Sequence, residues 1–480
     1  MTVTAPSRGP ETGRDRELER RVADLEALIE EARQRARRRR QRNVAVVLAA
    51  IVLGGCLYWL LGSVQAGSGP VVASRPPHAG ASSPKVALPE QLSFNANGSV
   101  LLLRRDGRRL PYLSGNLQPP GERQDRRYAG LAWSPDGSKL LAGRTPGFGV
   151  QALVVTDETG KVVWTVDPRD VDGRWSPDGS RIAFIHVNPE AWPRGPGFDQ
   201  VLFVASSNRR LRTRIAAHVR EFSWSPDGTK LAYPACARTC GPLRAQGPHR
   251  LVIADATGRR APHPVPLPTG PGAPMRTLRD VQWSPDGSLI AFVSNDGIGV
   301  GMHLNVVHPD GSSFRRVADG TTLTNVQWSP DGSLIAFASY DDVGMHLDVI
   351  HPDGSSRRRL VVGPYLRGGP FEWSPGGKRL AIVLPTGPRS RDVYVVNADG
   401  TDLHRIARCR CELRGGAPHL ESVAWSFDGT RIAYISGRGN TISTIRPDGY
   451  GATVVARQPA HGVTGYWYPS SPLWRPTRKH

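Results

Sequence analysis

Residues Val281 to Val293 carry a pattern of apolar and polar positions that recurs along the chain. Val281-Gln282-Trp283 alternates, Ser284-Pro285-Asp286-Gly287-Ser288 is polar, and Leu289-Ile290-Ala291-Phe292-Val293 is a continuous apolar run. Alternation fits a half-buried strand, and a short branched and aromatic run fits a strand covered on both faces. Between them, Pro285 presets φ for the first central position of a type I turn, and Asp286 suits the second. Gly287 then takes the left-handed conformation that such a hairpin loop requires. The stretch predicts two antiparallel strands and the turn joining them.

Near-copies of this hairpin centre on Trp133, Trp175, Trp224, Trp283, Trp328, Trp373 and Trp425, at spacings of 42, 49, 59, 45, 45 and 52 residues. Each is followed by a second hairpin on an Asp-Gly or similar turn, as at Asp310-Gly311 and Asp399-Gly400. A unit therefore has four antiparallel strands, A to D, and a radial array of such units is a β-propeller. Leu473-Trp474-Arg475-Pro476 is an A strand with no B strand after it. Residues 91–113 read as B, C and D strands with no A strand before them. Each supplies what the other lacks, so Trp474 is expected to close the ring against 91–113. Closure also satisfies backbone groups that an unpaired edge would expose. The expected fold is all-β: an eight-bladed propeller of four-stranded blades over 89–480.

The WSPDG repeats resemble those of the TolB-like, WD-like propellers over roughly residues 90–476. That family typically has six blades, so eight is a departure from it. Two repeats also depart, at Ser374-Pro375-Gly376-Gly377 and Ser426-Phe427-Asp428-Gly429; both keep the closing glycine, so the turn is expected to survive. The resemblance speaks to fold and says little about activity.

Ahead of the repeats, Leu18, Val22, Leu25, Ile29, Ala32 and Ala36 recur at spacings of four and three, the seam of a short coiled coil over 17–36 that could pair two copies. A basic cluster from Arg33 to Arg42 ends this cytoplasmic segment (1–42), and 43–64 carries no charge. Twenty-two apolar or small residues reach about 33 Å as a helix, enough to span a bilayer, and the basic flank places the N-terminus inside. Residues 65–88, rich in Gly, Ser, Pro and Ala, read as a flexible linker. The expected arrangement is a single-pass protein of a bacterial cell membrane with its propeller outside. Leu53-Gly54-Gly55-Cys56 offers a competing lipobox reading, weakened by the apolar Leu57 to Leu61 and by the long segment before it.

The net charge of +20 lies mostly beyond this segment, since residues 1–42 hold 12 Arg against 8 acids. Arginines gather at the C–D hairpins and fourth strands, among them Arg104, Arg105, Arg108, Arg109, Arg209, Arg210, Arg212, Arg214, Arg315, Arg316, Arg357, Arg358 and Arg359. Charge there guards outer edges against sheet-to-sheet association, or forms a basic collar for an anionic envelope polymer. The expected compartment argues against nucleic acid. In an oxidising compartment Cys236 and Cys240 are close enough to form a disulfide; Cys409 and Cys411 are separated by a single residue, so a bond between them would be strained.

Strand direction puts the uniform A–B and C–D turns on one face and the variable B–C and D–A loops on the other. Binding is expected on the variable face, through Trp192, Phe198, Tyr466, Trp467 and Tyr468. The repeated tryptophans are expected to pack between blades. His303, His346, His308 and His351 recur in two near-duplicate blades and read as structural. Asp170-Val171-Asp172-Gly173 resembles a calcium loop only in part and reads better as a tight turn. No nucleophile elbow, phosphate loop or HExxH motif occurs, and no cofactor or metal is expected. The leading expectation is a binding module for a protein or envelope glycan, and not an enzyme. The alternatives are a lyase-type propeller enzyme, whose mark would be titratable residues from several blades converging at the channel mouth, and a sensor relaying to the cytoplasmic helix.

Overall fold

The computed structural model describes residues 91–476 apart from several connecting segments, chiefly 114–125, 188–199, 237–248, 269–276, 364–370, 410–422 and 458–472. The expected coiled coil, membrane span, linker and Cys56 lie outside the described residues. Among the described residues there is no helix. Thirty-two strands form eight four-stranded antiparallel sheets. In seven, the four strands are consecutive in sequence; in the other, Leu92–Ala96, Ser99–Leu103 and Arg109–Leu113 are joined by Leu473–Trp474. That sheet is blade 1 here, and blades 2 to 8 follow in chain order.

The closure follows the register that the sequence predicts. Leu92 pairs with Trp474 and Ser93 with Leu473. The Arg475 amide donates to the Gln91 carbonyl at 2.8 Å. Its guanidinium donates to the Gly137 carbonyl at 2.6 Å and to the Gln91 side chain at 2.6 Å, and stacks over the Trp133 ring. Two paired residues make a minimal strand, and these side-chain bonds do what a longer ladder does elsewhere.

Burial repeats with the sequence. The run Ile290–Val293 is 0–1 % exposed, as an apolar strand covered on both faces requires. Core clusters form between blades: Ala291, Val293 and Leu304 of blade 5 meet Val326, Trp328 and Phe337 of blade 6. The first strands of adjacent blades adjoin one another around the axis.

The tryptophans do more than pack. The Trp175 indole N–H donates to the Ala132 carbonyl, Trp328 to Gln282, Trp373 to Gln327, Trp425 to Glu372 and Trp474 to Ala424. Each acceptor immediately precedes the tryptophan of the preceding blade, and Trp224 follows suit with Arg174. Trp133 reaches the Ser93 hydroxyl, which passes the bond to the Leu473 carbonyl. One rung is missing: the buried Trp283 indole N–H has no acceptor among the described residues.

The WSPDG turn forms as its residues dictate. The Gly287 amide donates to the Ser284 carbonyl at 2.9 Å, with Gly287 at φ +74°. Bonds from the Ser284 and Ser288 hydroxyls hold the Asp286 carboxyl below its usual range. Both variant turns survive, Gly377 and Gly429 each lying at φ +68°.

One expectation is corrected. Residues 170–173 are not a tight turn but the bulged start of a strand, Asp170–Trp175, with register shifting between Val171 and Arg174 and Asp172 at φ +51°. Asp280 and Asn325, also three residues before a motif tryptophan, share that conformation at φ +55° and +56°. Short polar side chains tolerate it best.

Candidate functional site in the inner strands of blades 3 to 5

The first strands of blades 3 and 5, with the residues just ahead of the first strand of blade 4, carry Asp172 and Arg174, then Glu221, then Arg279 and Asp280. The bulges aim these residues as they are. Arg174 lies 3.6 Å from Asp172, stacks over the Phe222 ring and donates to the Phe222 carbonyl at 2.9 Å, which ties blade 3 to blade 4. Glu221 accepts a long bond of 3.4 Å from the Val281 amide, and the Ser223 hydroxyl accepts from the Trp283 amide at 3.2 Å, tying blade 4 to blade 5. Arg279 donates onward to the Leu323 carbonyl of blade 6 at 2.9 Å.

The electrostatics follow from this crowding. Burial, with the nearby charge of Asp280, pushes the Glu221 carboxyl up to about 7, opposed only weakly by Arg174. Burial also raises Asp280, with Arg279 opposing. Beside them, burial lowers His249, whose Nδ1 accepts from the Leu278 amide at 3.1 Å. This is two carboxylates of raised pKa from neighbouring blades, with arginine on either side, at the seam where the Trp283 rung is absent. Such a pair can hold one proton near neutral pH, donate it, or accept a hydroxyl proton. Glu372 of blade 7 is also raised to about 7 by burial, but its carboxylate takes the Trp425 amide at 3.1 Å and has no second acid beside it among the described residues.

Charged groups from three consecutive blades therefore lie near one another, although the sequence gives no sign of it. The position three residues before each tryptophan varies from blade to blade, and that column was the available signal. Among the described residues no group of three or more His, Cys, Asp or Glu is arranged to hold a metal ion.

The predicted binding residues Trp192, Phe198, Tyr466, Trp467 and Tyr468 lie outside the described residues, as does Cys240. Cys236 ends the strand Lys230–Cys236 and Cys409 ends His404–Cys409. Glu221, just ahead of its first strand, and Asp280, in the first half of its own, lie toward the D–A loops, on the variable face.

No protein-family model and no curated protein matches the chain. Solved structures do match. An oligogalacturonate lyase in complex with manganese is 18% identical over 72% of this chain and 94% of its own, with a TM-score of 0.48. Prolyl oligopeptidase B from Galerina marginata, as its D661A mutant, is 13% identical over 69% of this chain and 51% of its own, at 0.50. TolB from Acinetobacter baumannii is 15% identical over 64% and 76%, at 0.37. What these share with the chain is the propeller. The expectation that the chain is not an enzyme is overturned on this point. A propeller occurs in that peptidase, so the fold by itself does not exclude a catalyst.

Three of the four repeated histidines and several outer arginines have structural partners. His303 Nδ1 bonds the Asp319 carboxylate at 2.9 Å, and Arg316 bonds both of them. His308 and His351 donate from Nδ1 to the Ser288 and Ser333 carbonyls at 2.8 and 3.0 Å. Arg357 and Arg359 reach the fully buried Asp348, Arg405 reaches Asp392, and Arg212 shares the buried Asp170 with His186. Many arginines read from sequence as edge guards thus satisfy buried acids. Arg104, Arg214, Arg315 and Arg358 do remain exposed.

Proposed function

We propose that the chain is a membrane-tethered, extracytoplasmic propeller that binds a protein or an anionic envelope glycan on its variable face, centred on the inner strands of blades 3 to 5. The observation carrying this reading is the convergence of Arg174, Glu221 and Asp280 from three consecutive blades. Arginine supplies a directed donor for carboxylate or carbonyl groups, and a part-protonated carboxyl pair can both donate and accept. The charge-free stretch 43–64 and its basic flank support the tether.

The test uses the full chain in intact cells, with a photo-crosslinking side chain at Gln282 on an inner strand or at the exposed Phe427 on the turn face. Saturable capture of one polymer or protein from position 282 and not from 427 is the expected result. Equal capture from both, or none from 282, removes the reading. An impermeant thiol reagent should also label a Phe427→Cys variant without cell lysis.

A second reading has its own observation. Glu221, held near 7 beside Asp280, has the pKa of a general acid–base group, which suits proton abstraction from a polysaccharide. Loss of polymer turnover in Glu221→Gln with binding retained would favour it over recognition alone.

A further inference from the structure

Blades 5 and 6 share a cleft on the opposite face. Their third-to-fourth-strand turns are His308-Pro309-Asp310-Gly311 and His351-Pro352-Asp353-Gly354, and the residue opening this turn elsewhere is Asp157, Asp255, Asn397 or Arg446. Duplication has therefore set two histidines on adjacent blades, and both line one cleft of about 380 Å³ between them. Leu289 and Pro352 give the cleft apolar wall, and Ser313 and Arg315 line it too.

The hydrogen bonding inside fixes what the cleft can bind. A carbonyl only accepts, so the bonds to Ser288 and Ser333 place the proton of each neutral ring on Nδ1. That leaves Nε2 of both as acceptors for a hydroxyl proton. Arg315 makes no hydrogen bond or ion pair among the described residues, unlike Arg316, Arg357 and Arg359 on the same outer strands. The Asp353 carboxylate on the rim lies in the field of Arg315, but it accepts the Ser355 amide of its own turn at 2.8 Å. The next seam carries Arg358 with Asn397 in place of a histidine, so the combination of one uncommitted cation and two imidazole acceptors belongs to blades 5 and 6.

We propose that this cleft binds an acidic sugar residue. Its carboxylate would meet Arg315, its hydroxyls would donate to Nε2 of His308 and His351, and its C–H face would lie on Leu289 and Pro352. A simple carboxylate has no hydroxyl protons for the imidazoles, and a neutral sugar leaves the guanidinium unanswered. The volume falls in the range of small-ligand pockets. The site does not depend on the inner-strand reading, because it lies on the other face and shares no residue with it.

Saturation-transfer NMR on the full chain in detergent, with glucuronate, glucose and acetate as probes, tests this. Glucuronate should bind saturably in the millimolar range, with glucose and acetate each weaker by about tenfold, the scale of one charge-assisted bond or a pair of neutral ones. Arg315→Gln should weaken glucuronate by about tenfold, and His308→Gln with His351→Gln by a similar factor, while Arg316→Gln leaves it unchanged. Tryptophan fluorescence confirms that each variant is folded. Absence of saturable glucuronate binding, equal binding of glucose or acetate, or an Arg315→Gln variant that binds as well as the parent overturns the proposal.

Discussion

The seam that closes the ring and the seam between blades 4 and 5 are built from the same repeat and end in opposite conditions. At the closing seam the covalent link is absent, yet side chains bind it: the fully buried Trp474 reaches Ala424, Trp133 reaches Ser93, and Arg475 makes three hydrogen bonds. Between blades 4 and 5 the chain is continuous, yet the Trp283 indole is unanswered and a carboxyl sits near neutrality. Where connectivity is missing, side chains compensate; where it is guaranteed, one rung can be lost without opening the ring.

The sharpest way to break the comparison is Trp474→Ala. Loss of a fully buried indole should cost about 3–5 kcal/mol, and here it also unpairs the first blade. Urea denaturation should show the whole propeller weakened; a loss under about 1 kcal/mol would mean that closure contributes little.

Next in size is the titration of Glu221. Its folded value of about 7 lies above the ordinary 4.5, so the folded state holds this proton more tightly than the unfolded chain does. The stability linked to it is full below about 4.5 and is lost as pH rises through about 7, with a ceiling of about 3 kcal/mol. Glu221→Gln should therefore be more stable than the parent at pH 8 and flatten the stability profile over that window. Asp280→Asn should move the Glu221 midpoint downward and leave that of Glu372 alone. Denaturation midpoints that ignore pH in the parent would contradict this.

Gly137→Ala probes the closing seam from its other side. A Cβ there would lie 2.2 Å from the Pro476 carbonyl oxygen, at φ +66°. Gly429→Ala has the same backbone penalty at φ +68° but meets only Pro375 at 3.8 Å. The first should cost about 2 kcal/mol more than the second, measured as a difference in thermal stability. The smallest effect compares rungs: Trp328→Phe loses a bond to Gln282 and Trp283→Phe loses none, so the former should cost about 1 kcal/mol more.

Strand pairing, blade number and closure were legible because they rest on local chemistry that repeats: a proline and glycine fixing each turn, an apolar run, and two half-blades that complement each other. The inner cluster was not legible, because Glu221 and Asp280 meet only through the adjacency of blades, and a reading that weights identical positions passes over a column holding Asp172, Glu221, Asp280 and Asn325. Asp170 was misread for a related reason. Its partners His186 and Arg212 lie 16 and 42 residues away, so nothing nearby in the sequence shows that it is buried. The paired Arg316, Arg357 and Arg359 hid in a column that also holds the exposed Arg315 and Arg358, so composition alone does not separate them.

The strand that completes blade 1 is translated long after the strands it joins. Between Leu113 and Leu473 a ribosome needs roughly 20–70 s at ordinary elongation rates. Throughout that interval the nascent chain carries Leu92–Ala96 with one side of its backbone unmatched, an edge open to any passing strand. A cell making this protein must shield that edge until the tail emerges, and slowing synthesis late in the message should raise aggregation more than slowing it early.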